Sequence, residues 1–158
     1  MKKIIFGIQQ IGIGIPNLHE AWSWYRKVFG MDIRMFEESA EAGLMTKYTG
    51  GKVHSRSAAL AINMAGGGGF EIWQYTSRKP ELPSFDHQLG DLGIFITKIK
   101  CNDIESQYNK HKELGIDLLG NVSTNPDGKK HYFLKDPYNS IFEIVESNEW
   151  FTNPKGCG

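Results

Sequence analysis

The chain has 158 residues, 40% of them hydrophobic and 23% charged, which is the length and balance of one ordinary globular domain needing no disulfide framework or structural metal to fold. Lysine plus arginine and aspartate plus glutamate each number 18, so there is no basic excess with which to hold a nucleic acid. Apolar runs are strand-sized, and the opening MKKIIFG is too short for a secretory signal or a membrane span, so a cytoplasmic protein without a membrane partner is expected.

Ile11, Ile13 and Ile15 alternate with Gln10, Gly12 and Gly14, the period of a half-buried strand, until Pro16 stops it. Asn17 with Glu20 makes a capping-box-like start, and Leu18, Trp22, Tyr25 and Phe29 recur at helical spacing until Gly30. Trp22, Trp24 and Tyr25 read as packing residues of that helix. Three strand-like runs follow, MDIRMFE from Met31, RSAALAINM from Arg56 and FEIWQY from Phe70, with the glycines 66 to 69 as a hairpin loop before the last. The segment TSRKPELPSFDHQLGD reads as a connector because of its prolines and turn formers.

The same order then repeats. LGIFITKIKC from Leu92 predicts a strand with Cys101 as a small buried residue, and Asp103 caps a helix on which Ile104, Tyr108, His111 and Leu114 keep helical spacing until Gly115. IDLLGNV, KHYFLK and SIFEIVE are the three further strands, the last two joined by the turn DPYN. NPKGCG, with Cys157 as a free surface thiol, closes the chain as a frayed tail. The last strands of the two halves share a tripeptide, Phe70-Glu71-Ile72 and Phe142-Glu143-Ile144, and a repeat this long points to duplicated half-domains.

The expected class is therefore α+β: two tandem βαβββ modules forming curved mixed sheets around a cleft, with the helices on the outer faces. One domain is expected over 1–152, made of module one at about 8–76, a connector at 77–91 and module two at about 92–148, with a flexible tail at 153–158. Residues alternating with the helix-packing positions then face the cleft. These are Gln10, Gly12 and Gly14; Glu71, Trp73 and Tyr75; Ile96, Lys98 and Lys100; and Ile141, Glu143 and Val145.

Strand, helix and three strands, repeated over about 8–148, resembles the vicinal oxygen chelate superfamily of glyoxalases, bleomycin-resistance proteins and extradiol dioxygenases. QIGIGIPNLHEAWSWYRKVFGM looks like that family's first strand and helix, and KDPYNSIFEIVE like its final hairpin. The resemblance implies one divalent metal held by residues from the first and last strands of both halves. Carried over, Gln10, Glu71 and Glu143 match metal-ligand types, while Ile96 stands where the family usually has His, which weakens a site for zinc, nickel or iron.

Two functional expectations follow. In the first, a metal on Gln10, Glu71 and Glu143 polarises a carbonyl, with Glu143 as the catalytic base of a lyase, isomerase or epimerase. In the second, the chain binds a small molecule without metal, as bleomycin-resistance proteins do. Trp73, Arg78, Ile96, Lys98 and Lys100 are the candidate substrate contacts, the cations suiting an anionic group. Lysines on an outer strand also guard against edge pairing. A homodimer is expected by the same resemblance. G-x-S-x-G and nucleotide-binding fingerprints are absent, and the glycine run lacks the following Lys-Ser/Thr of a phosphate loop.

Overall fold

The computed structural model describes residues 8–65, 68–81 and 84–147, so the frayed tail with Cys157, and Gly66 and Gly67 of the expected hairpin loop, lie outside the described residues. The chain divides into two compact units, falling over 8–81 and 84–147 of the described residues. Each repeats one plan. In both, a strand and a helix lead into a meander whose last strand returns beside the first.

In the first unit, β1 (Gln10–Gly14) is followed by α1 (Leu18–Phe29), β2 (Ile33–Glu41), β3 (Ser55–Ile62) and β4 (Gly69–Tyr75). The sheet order is β1-β4-β3-β2, with β1 parallel to β4 and the other pairs antiparallel. Helix α1 begins where the Asn17 side chain accepts the Glu20 N–H, and Gln74 of β4 accepts the Leu18 N–H. It ends at Gly30, whose φ of 65° favours glycine; a side chain there would also run into Asn63. Its buried face carries Leu18, Ala21, Tyr25, Val28 and Phe29. Tyr25 and Phe29 meet Phe70 edge-on at 5.2 and 5.9 Å between ring centres. Ile13, Ala59, Ala61 and Ile72 complete this core.

The polar run after Phe36 stays in β2, further than the expected strand from Met31. It does so as an exposed edge strand, and its hydroxyl pair Ser39–Ser57 at 2.7 Å ties it to β3. A 3-10 turn over Gly43–Tyr48 follows it.

The second unit contains β5 (Ile96–Cys101), α2 (Ile104–Glu113), β6 (Asp117–Leu118), β7 (Ser123–Thr124), β8 (Lys130–Lys135) and β9 (Ile141–Glu146). Strand order is β5-β9-β8-β6, β7 also pairing β8, and β5 runs parallel to β9. Asp103 caps α2 by accepting the Ser106 N–H, and Glu146 of β9 accepts the Ile104 N–H as Gln74 does in the first unit. Gly115, with φ 69°, follows the helix. The DPYN turn is built on Asp136, whose Oδ1 accepts the N–H groups of Tyr138 and Ser140.

Three expectations need correction here. The predicted strand from Leu92 starts only at Ile96, since Gly93 with φ 116° breaks the extended run. IDLLGNV is not one strand but gives β6 and then, after Gly120 with φ 117°, leads to the separate β7. Cys101 is half-buried rather than fully enclosed, and its thiol is free.

The core beneath α2 is more polar. Fully buried His111 meets the Tyr132 hydroxyl at 2.8 Å and Gln107 at 2.7 Å, among Ile104, Leu134, Phe142 and Ile144. No helix among the described residues is long and apolar enough to cross a membrane.

Candidate functional site

Direct strand partners project to the same side of a sheet, so the registers fix which side chains share the face opposite each helix. In the first unit, Gly12 stands beside Glu71, which pairs with Leu60, which pairs with Phe36. The next row is Gly14, Trp73, Ala58 and Glu38, and beyond it Tyr75 pairs with Arg56. Gln10 heads the face, and its side-chain amide donates to Glu71. A Cβ added at Gly12 or Gly14 would meet no heavy atom within 4 Å, so there is open volume over β1. Arg56 reaches over small Ala58: one guanidinium arm donates to Glu38, and the group lies 4.8 Å from the Trp73 ring centre. Arg78, just past β4, sits 4.8 Å over Tyr75, which itself packs edge-on to Trp73.

In the second unit, Ile96, Lys98 and Lys100 pair with Ile141, Glu143 and Val145. The register of β5 is thus the expected one. Thr97 is buried opposite Phe142, on the helix side. Lys98 Nζ lies 3.1 Å from Glu143 Oε2, and His131 Nδ1, on β8, lies 2.7 Å from Glu143 Oε1. The Glu143 side chain is only 6% exposed and that of His131 12%, whereas Lys98 is half exposed. Each carboxylate oxygen therefore has its own protein partner. Burial lowers the Lys100 pKa from the usual lysine range. Burial, helped by Glu146, pushes the Cys101 thiol up to about 11, which leaves little thiolate for nucleophilic chemistry near neutral pH.

A family model described as Glyoxalase/Bleomycin resistance protein/Dioxygenase superfamily matches residues 7–144. The chain belongs to this superfamily. Solved structures agree at the level of fold. A glyoxalase family protein from Bacillus cereus is 14% identical, with a TM-score of 0.70 over 91% of this chain and 95% of that one. One from Enterococcus faecalis is 19% identical, with a TM-score of 0.61 over 91% and 98%. A superfamily member from Sphaerobacter thermophilus is 18% identical, with a TM-score of 0.57 over 90% and 98%. No curated protein matches the chain.

Measured against a glyoxalase-type metal centre, the donor set of this superfamily member fits poorly. Ile96 offers no donor. Glu143 is held by an ammonium and an imidazole, and Glu71 by the Gln10 amide. Within either unit, no group of three or more His, Cys, Asp or Glu among the described residues is arranged to hold a metal ion.

Two residues of these faces escaped the sequence reading, Arg56 and His131. Both alternate correctly along RSAALAINM and KHYFLK, so the period of two already placed them. The family resemblance draws metal ligands only from the first and last strands of each module, and Arg56 and His131 lie on β3 and β8.

Proposed function

We propose that this glyoxalase-superfamily chain binds a small organic molecule on the sheet faces opposite its helices and holds it without a metal, in the manner of the bleomycin-resistance type. The observation that carries this reading is the occupation of both Glu143 oxygens by Lys98 and His131. A metal ion would have to displace a positive charge already 3.1 Å from the carboxylate, and Ile96, on the same strand as Lys98, offers no ligand in compensation. The open volume over Gly12 and Gly14, next to Trp73, supports the ligand-holding half of the reading.

Calorimetric titration of chelator-treated protein with zinc, nickel, manganese and magnesium tests it. The expected outcome is no stoichiometric uptake at micromolar metal, and the same weak heats in Glu143→Gln. Saturable uptake of one equivalent that Glu143→Gln removes would overturn the reading and restore the metal-assisted enzyme.

One arrangement favours a second reading. A carboxylate that accepts Nδ1–H of His131 fixes the imidazole with Nε2 as its acceptor, the setting of a general base. Under that reading a bound carbon acid exchanges a proton with His131 in place of metal-assisted chemistry. Incubating candidate ligands with protein in deuterium oxide distinguishes the two, because only the second incorporates deuterium, and His131→Gln would stop it.

A further inference from the structure

Arg56 Nη1 is a buried side-chain nitrogen without a hydrogen-bond partner among the described residues. Leaving such a donor dry forfeits its hydration with nothing in return, so a group of this kind calls for an acceptor. The other arm is committed to Glu38, and the Trp73 ring fixes the plane of the guanidinium from one side. Glu71, the other carboxylate on this face, is engaged by Gln10. What the face lacks is a second acceptor, one for Arg56 Nη1. Beyond Trp73, in the same row, a Cβ at Gly14 would meet nothing within 4 Å, as at Gly12 two residues along the strand.

We infer that this face binds a planar aromatic carboxylate, its ring over Gly12 and Gly14 against the Trp73 indole and its carboxylate on Arg56. From Gly14 to Ala58, over which Arg56 lies, is two strand spacings, roughly 10 Å, the length of a bicyclic acid. Arginine supplies a planar fork for the carboxylate, and tryptophan the apolar wall for the ring. The inference rests on the reading that a ligand is held on this face, and it names the ligand's chemical class.

Calorimetry with 2-naphthoate and its neutral analogue 2-naphthamide tests it. The native protein should bind the acid at least about tenfold more tightly than the amide. Arg56→Gln should bring the two within about twofold without weakening the amide, and Arg26→Gln, which removes an exposed α1 cation paired with Asp32, should keep the preference. Arg56→Lys serves where Arg56→Gln fails to fold by circular dichroism, and it too should lose most of the preference, because a lysine lacks the fork. Equal affinity for acid and amide, absence of binding by either, or a preference that survives Arg56→Gln would overturn the inference. Selective binding of a naphthoate that chromatography then recovers chemically altered would overturn the binding-only function and leave this ligand class standing.

Discussion

The two units put opposite kinds of side chain at equivalent points of the same scaffold. Strand registers make Gly12 the counterpart of Lys98, Gly14 of Lys100, and Ala58 of His131, around the matching carboxylates Glu71 and Glu143. Beneath the sheets, Tyr25 of α1 corresponds to His111 of α2. The first unit has thus emptied the β1 end of the face opposite its helix and filled its core with aromatic rings. The second places two lysines on the equivalent strand and accepts a hydrogen-bonded imidazole in its core. Backbone register conserves which positions look the same way; side-chain volume and charge then divide the work, open space in one half and a satisfied polar cluster in the other.

The largest expected effect breaks the comparison in the core. Tyr25→Ala removes a fully buried ring in contact with Trp24, Phe29 and Phe70 and should cost about 3–5 kcal/mol in urea unfolding. In the second unit, Tyr132→Phe keeps the ring but takes the hydroxyl from fully buried His111. That should cost about 1–3 kcal/mol, the range for a buried polar group that loses its partner. A smaller loss there would mean that the ring, not the hydrogen bond, holds the α2 core.

A third expectation sharpens the contrast between Gly12 and Lys98. Ile96→His alone leaves the ammonium on Glu143 and should raise zinc affinity little. Combined with Lys98→Gly, which copies the first unit, it frees the carboxylate oxygen Oε2 and should gain about tenfold or more, ~1.4 kcal/mol. Zinc calorimetry on both variants decides it; equal gains would show that Lys98 is no obstacle. The smallest effect is on β1 itself. Gly14→Val should stabilise the strand by roughly 0.5–1 kcal/mol, since its backbone suits an L-residue and nothing crowds the new side chain. The same substitution should weaken 2-naphthoate binding, so a thermal melt and a titration on one variant move in opposite senses.

Periodicity made the scaffold legible. Alternation along QIGIGI and FEIWQY assigned Gln10, Glu71 and Trp73 to one face, and aligning the helix caps Asn17 and Asp103 made Ile96 the equivalent of Gln10, which set the register of β5. Tight turns were less legible: a single glycine at 93 or 120 ended a run that hydrophobicity alone would have continued. Among site residues, Lys98 was placed on the right face but read as a substrate contact or an edge guard. Its partner was out of view because an ion pair across two strands depends on side-chain reach, which no single strand's pattern encodes. His131 and Arg56 needed the same cross-strand knowledge.

Each sheet joins its module's first strand to its last. Gln10 finds its place only beside Gly69, and Ile96 only beside Ile141. During synthesis the leading strand of each half must therefore stay unpaired while the meander behind it is made, because the long chain closure that parallel pairing requires comes after the local hairpins are possible. The glycines that leave the space over β1 empty also leave that face of the strand no apolar side chain with which to pair wrongly in that interval.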